Sequence, residues 1–191
     1  RRMLVIEAIC SNDDLRAICK NEIKENNACV NLDSSFYLDN GNLNDEKIIN
    51  LAIDEYYNGL GLGNTPPSID NLLVINRGDK KFAVYLIELK DVKKLSRLCN
   101  INIRTKFNTT IDDFMLERFK SEFDRDDVKI TDLNLWLVCN RFSFMSKSIS
   151  DEDYEKRIKN TIIEKLMMIP PFRYKGKIGM LNVMFNNAEI C

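Results

Sequence analysis

Two apolar runs separated by a short polar turn constrain this chain more than any other feature. Asn71-Leu-Leu-Val-Ile-Asn76 and Phe82-Ala-Val-Tyr-Leu-Ile-Glu88-Leu-Lys90 flank Arg77-Gly-Asp-Lys-Lys81. That pattern predicts a β-hairpin inside a sheet, with the second run as an internal strand. Side chains alternate along a strand, so Glu88 and Lys90 project from one face. Folding the hairpin back brings Asp70, which opens the first run after Pro66-Pro-Ser-Ile69, to the same end of the sheet. Two carboxylates and an ammonium are thus expected to converge. Such a group is suited to holding a divalent cation and steering a water toward a phosphodiester.

The 191 residues suggest a single domain over 1–191, long enough to bury a sizeable core. With 45% apolar and 30% charged residues, the composition is that of an ordinary soluble protein. No apolar run approaches the roughly 20 residues of a membrane span, so no membrane partner is expected. Arg1-Arg2 precede an apolar stretch, but Glu7 and Asn12-Asp13-Asp14 interrupt it too soon for a signal peptide. Six cysteines are scattered without a Cys-x-x-Cys pair, and there is no histidine. This disfavours a zinc site and points to reduced thiols in the cytoplasm. It also excludes Ser-His-Asp and Cys-His mechanisms, leaving proton chemistry to carboxylates, lysine, tyrosine or a metal-activated water.

Charge is distributed unevenly. Residues 1–70 carry a net −6, residues 71–120 carry +5, and residues 121–191 are neutral. The positive excess coincides with the hairpin and includes Lys93, Lys94, Arg97, Arg104 and Lys106. A phosphate backbone favours such a basic rim, although an ordinary solvated face has the same composition.

Around the hairpin, periodicity predicts helices over residues 13–26, 44–57 (capped by Asn44), 110–123 and 150–168, and strands over 133–140 and 178–185. Residues 29–39 read as a short strand and turn, and 93–107 are ambiguous. This order describes an α/β (α+β) chain with a central mixed sheet flanked by helices. Tyr85 and Trp136 are expected as core aromatics. Gly61-Leu-Gly63 lacks the rest of a phosphate-binding fingerprint, and no Gly-Lys-Ser/Thr occurs.

The acids differ in how much they constrain. Taken alone, Asp70 reads first as a turn acid capping the Pro66–Ile69 bend. Glu88 ends an apolar strand, where an unpaired carboxylate is costly; it pairs with a lysine, reaches the exposed end of the sheet, or ligates a cation. On a helix from Asn44, Glu55 shares the apolar face of Ile48, Leu51 and Ala52, which makes it either a further candidate ligand or a boundary residue bending to water. Asp54 falls on the polar face and reads as solvent-facing charge.

Asp70 followed by Glu88-x-Lys90 across a hairpin resembles the PD-(D/E)xK nuclease superfamily, the fold of many restriction endonucleases, over about residues 44–140. The resemblance implies a restriction-endonuclease-like core and a Mg²⁺-dependent endonuclease, with Mn²⁺ as a substitute. Its substrate would be double-stranded DNA, cleaved by a metal-activated water, with a homodimer expected for a palindromic site. It assigns Asp70, Glu88 and Lys90 to catalysis and Asp70, Glu88 and Glu55 to the metal; the oxygen shell Mg²⁺ prefers would take the Leu89 carbonyl as well. Action on RNA or on branched or damaged DNA is the alternative substrate range, and a non-enzymatic interaction protein is the alternative class. The proline pair is spread out, Pro67 standing three residues before Asp70. The dozen residues between the Asn44 helix and Asp70 also leave little room for the strand the superfamily places there.

Overall fold

A computed structural model describes residues 4–91, 98–139, 150, 152–153, 156, 161–185 and 188–191. Helices α1 (Val5–Cys10) and α2 (Asp13–Ala17) lead into a hairpin of β1 (Ile23–Glu25) and β2 (Ala28–Leu32). Next come β3 (Ile48–Ala52), α3 (Ile53–Gly59), β4 (Asn71–Asn76) and β5 (Lys81–Lys90). Helix α4 (Asn100–Asn108) runs into a π-helical stretch, Thr109–Arg118, and then α5 (Lys120–Phe123). The remaining elements are β6 (Lys129–Cys139), α6 (Ile162–Met167), β7 (Phe172–Tyr174), β8 (Lys177–Gly179), β9 (Leu181–Phe185) and β10 (Ala188–Ile190). The chain is therefore mixed α/β.

Its centre is a five-stranded sheet of order β3-β4-β5-β6-β9. Strand β4 runs antiparallel to both β3 and β5, while β5, β6 and β9 run parallel. A second sheet of order β1-β2-β10 covers one face of the first. Alternation along the strands sorts the core accordingly. Leu72, Val74, Phe82, Val84 and Leu86 pack with Ile9, Leu15, Phe107 and Phe114 on the helix side. Leu73, Ile75, Ala83, Ile87 and Leu89 pack with Ile23, Val30 and Ile190 on the small-sheet side. Because both faces are covered, these strands read as near-continuous apolar runs. The hairpin turn needs the left-handed region at three successive residues, Gly78, Asp79 and Lys80 (φ 76°, 48° and 60°). Asn76 supports it by accepting from the Gly78 N–H through Oδ1 (2.9 Å). Tyr85 and Trp136 meet edge to face at 5.1 Å, half-buried on the small-sheet side.

The predicted 44–57 helix is instead a strand followed by a short helix. Asn44 does cap a turn, its Oδ1 accepting from the Glu46 N–H (2.9 Å). From Ile48, however, pairing with β4 takes over. Ile49 and Leu51 enter the helix-side core and Ile48 the other, a period of two that a helix cannot supply. Buried Asn50 is satisfied by donating to the Glu22 carbonyl (3.0 Å) and accepting from Asn71 (2.9 Å). The 13–26 helix stops at Ala17, because the chain beyond it pairs along β3 (Ala52 N–H to Ile18 O, 2.8 Å). The 110–123 segment is helical, but it is π-wound as far as Arg118. Thr161 sits in an extended conformation and caps α6, so the 150–168 segment is no single helix; much of it lies outside the described residues. The 178–185 run is divided between β8 and β9, which join different sheets.

Candidate functional site

The site forms where β4 begins and β5 ends. These strands pair through Asn71 opposite Ile87. One further step of that register sets Asp70 opposite Glu88, on the same face of the sheet. That face is the helix side, since Glu88 continues the alternation of Val84 and Leu86. Three contacts fix Asp70 locally. Its Oδ2 accepts the Leu89 N–H (2.6 Å), and its carbonyl accepts the Ile53 N–H at the start of α3 (2.9 Å). Beside it, the Ile69 N–H donates to Thr110 Oγ1 (3.4 Å).

Glu88 is completely buried. Its Oε1 takes Lys90 Nζ at 2.5 Å and Lys106 Nζ at 2.7 Å. Its Oε2, also buried, has no hydrogen-bond partner among the described residues. A lone buried carboxylate costs several kcal/mol, which the two ammoniums offset. Burial, reinforced by the charge of Glu88, pushes the Asp70 carboxyl up to about 8, against smaller opposing effects of the Leu89 N–H, Lys106 and Lys90. Burial would lower the Lys90 ammonium, but the charge and hydrogen bond of Glu88 outweigh it and raise the group.

Next to these residues lies a cleft of about 570 Å³, bounded by α3, the sheet end and the β1 hairpin. Two lysines on its walls, Lys20 and Lys24, face five acids, Glu22, Glu25, Asp54, Glu55 and Asp70. The hairpin is tied to the end of β5 by the Asn27 side chain, which donates to Asp91 Oδ2 (3.1 Å).

The structure brings Asp70, Glu88 and Lys90 together, with the Leu89 backbone between them. Glu55 is not on a buried helix face: its side chain is 51% exposed and pairs with Lys20 at 2.7 Å. Its neighbour Asp54, expected to face solvent, is half-buried in the cleft wall. Burial raises its carboxyl, which also feels the charges of Lys106 and Glu88. The strand-to-helix break at Ala52 rotates both residues away from their expected faces. Lys106 lies inside the site rather than on a basic rim. Arg104 is exposed on α4, two residues away and so on the other side of that helix. Lys93, Lys94 and Arg97 lie outside the described residues. A signal for Lys106 was present in the sequence: it stands three residues after Ile103 and four before Thr110, both buried, on the inward face of α4.

The donors present fit a hard cation. They are carboxylate oxygens, one of them buried and unpartnered, beside an acid-rich cleft. Among the described residues, no group of three or more His, Cys, Asp or Glu side chains is arranged to hold a metal. An ion here would draw the rest of its shell from backbone and water, as Mg²⁺ commonly does. No described helix is long and apolar enough to cross a membrane. No protein-family model, curated protein or solved structure matches the chain.

Proposed function

We propose that this chain is a Mg²⁺-dependent endonuclease that hydrolyses DNA phosphodiester bonds, built on a restriction-endonuclease-like core. One observation carries the reading: Asp70 and Glu88 face each other across adjacent antiparallel strands, with Lys90 on the same face and one Glu88 oxygen buried without a partner. The strand order supports it. An antiparallel β3-β4-β5 unit is followed by a helix and a parallel β6, with the aspartate opening its second strand and Glu-x-Lys closing its third. In this reading the short β3, inside the 44–57 segment rather than in the dozen residues before Asp70, serves as the strand the superfamily places there.

In this reading Asp70 and Glu88 hold the ion, with the Leu89 backbone beside them. A divalent cation bound there supplies Lewis-acid stabilisation of the phosphate and lowers the pKa of a coordinated water. Lys90 contributes a positive charge next to the nucleophile and the phosphate, an electrostatic effect. The acid-rich cleft disfavours phosphate in the absence of cations, so activity is expected to depend strictly on divalent metal.

The test is incubation of supercoiled plasmid with Mg²⁺ or Mn²⁺, comparing wild type with Asp70→Ala, Glu88→Ala and Lys90→Ala. Wild type is expected to nick or linearise the plasmid and the carboxylate variants to be inactive. Lys90→Ala is expected to lose about 10²–10³-fold in rate. Preferential cleavage of RNA or branched DNA would redirect the substrate while keeping the chemistry. Absence of cleavage on every nucleic acid, with no heat of Mg²⁺ or Mn²⁺ binding by calorimetry, would leave Glu88 as the buried centre of a structural ion cluster.

A further inference from the structure

Glu88 has two ammoniums on one oxygen, and they differ in how they are held. Lys106 projects from α4 between the fully buried anchors Ile103 and Phe107. Its backbone carbonyl accepts the Thr110 hydroxyl (3.0 Å), and Thr110 in turn accepts the Ile69 N–H next to Asp70. Lys90 is the last residue of β5, and its side chain is more exposed than that of Lys106 (26% against 18%). Besides Glu88 it feels two further carboxyl groups, Asp70 and Glu25, both on the cleft wall. One ammonium is therefore braced by the core, while the other stands at a strand end near two acids of the cleft wall.

We infer that Lys106 is the fixed counter-ion of Glu88, a positioning residue that frees Lys90 to leave the carboxylate for a phosphate in the cleft. With a single lysine the two tasks conflict. Moving that lysine to the substrate would strand a completely buried carboxylate with no counter-charge. With Lys106 in place the carboxylate keeps a partner, and Lys90 moves at little cost. Both ammoniums use Oε1, so the departure of Lys90 leaves the buried Oε2 unpartnered as before. The counter-ion assignment stands on geometry alone, whereas the destination of Lys90 rests on the phosphodiesterase reading.

The experiment separates the two. Thermal melting without added metal is compared for wild type, Lys90→Met, Lys106→Met, Lys106→Arg and the double variant Lys106→Met/Glu88→Gln; methionine keeps most of the apolar stem. Lys90→Met is expected to melt within about 2 °C of wild type and Lys106→Met about 5–10 °C lower. Removing the charge of Glu88 in the double variant should recover most of that loss. Lys90→Met melting as low as Lys106→Met would overturn the assignment. So would a double variant no more stable than Lys106→Met, because the loss would then be one of packing. In plasmid cleavage, Lys106→Met is expected to lower kcat at least about tenfold with KM little changed, since Lys90 is then held on Glu88, and Lys106→Arg should restore it. Unchanged kcat in Lys106→Met, in an active enzyme, would overturn the release of Lys90. If wild type cleaves nothing, the phosphodiesterase reading and the release of Lys90 fall together, and the melting comparison still decides the counter-ion.

Discussion

Asp70 is where pH should be felt most. Its carboxyl titrates at about 8 in the folded chain against 3.8 ordinarily, because burial and the Glu88 charge both oppose ionisation. The folded state therefore binds a proton more tightly than the unfolded one. Its stabilising contribution is complete below about pH 4 and falls as pH rises toward 8. The groups facing Asp70 are Glu88, Lys90 and the Leu89 N–H from β5, and Lys106 from α4. Melting temperature, measured without divalent ions, is expected to decline between pH 5 and 8, and Asp70→Asn should flatten that decline. A cation binding at Asp70 must displace the same proton, so apparent Mn²⁺ affinity is expected to climb over this range in wild type. Calorimetry in buffers of different ionisation heat would register the released proton.

At the level of elements, two junctions hold the site's scaffold. The first joins α3 to the π-helical stretch. The buried Tyr57 hydroxyl donates to Asp113 Oδ2 (2.5 Å), and Arg118 Nε donates to the same oxygen (2.6 Å). Arg118 also lies over the rings of Tyr56 and Tyr57. This network fixes the helix carrying Asp54 against the helix that continues from Lys106. Tyr57→Phe is expected to cost about 1–3 kcal/mol in denaturant unfolding, since it leaves Asp113 short of one donor. The second junction is Gly179 at the end of β8. A Cβ there would collide with Leu135 Cδ1 and lie 2.8 Å from the Leu133 carbonyl, so β8 crosses β6 at a distance only glycine permits. Gly179→Ala is expected to destabilise by about 1–3 kcal/mol, the usual cost of overpacking, in the same measurement.

The whole molecule places a charged cluster at the end of a sheet covered by helices on one face and by a small sheet on the other. That cover excludes water from Glu88, and the acid excess in the neighbouring cleft biases the site toward cations. Any ion that binds only the folded chain must also stabilise it. At a concentration 100 times its Kd, Mg²⁺ or Mn²⁺ is expected to add about 2.7 kcal/mol, which is about 5–10 °C in melting temperature for a chain of this size. Glu88→Gln should abolish most of that shift, and a shift that persisted in this variant would locate the ion elsewhere.

Local pattern was enough to specify the hairpin, the shared face of Glu88 and Lys90, and the helical winding of residues 110–123. Each depends on alternation or periodicity within one short segment. The β3 strand was not legible, because a continuous run such as Ile48-Ile49-Asn50-Leu51-Ala52 fits a buried helix as well as a strand. Pairing with β4 and the division of its side chains between two cores resolve it. That resolution turned Asp54 into the cleft wall and left Glu55 paired with Lys20. Helical spacing turns Lys106 inward, but its contact with Glu88 was hidden, since it lies 18 residues downstream on another element. Which ammonium meets a buried carboxylate is set by how helices pack on a sheet, and no spacing along the chain encodes that distance.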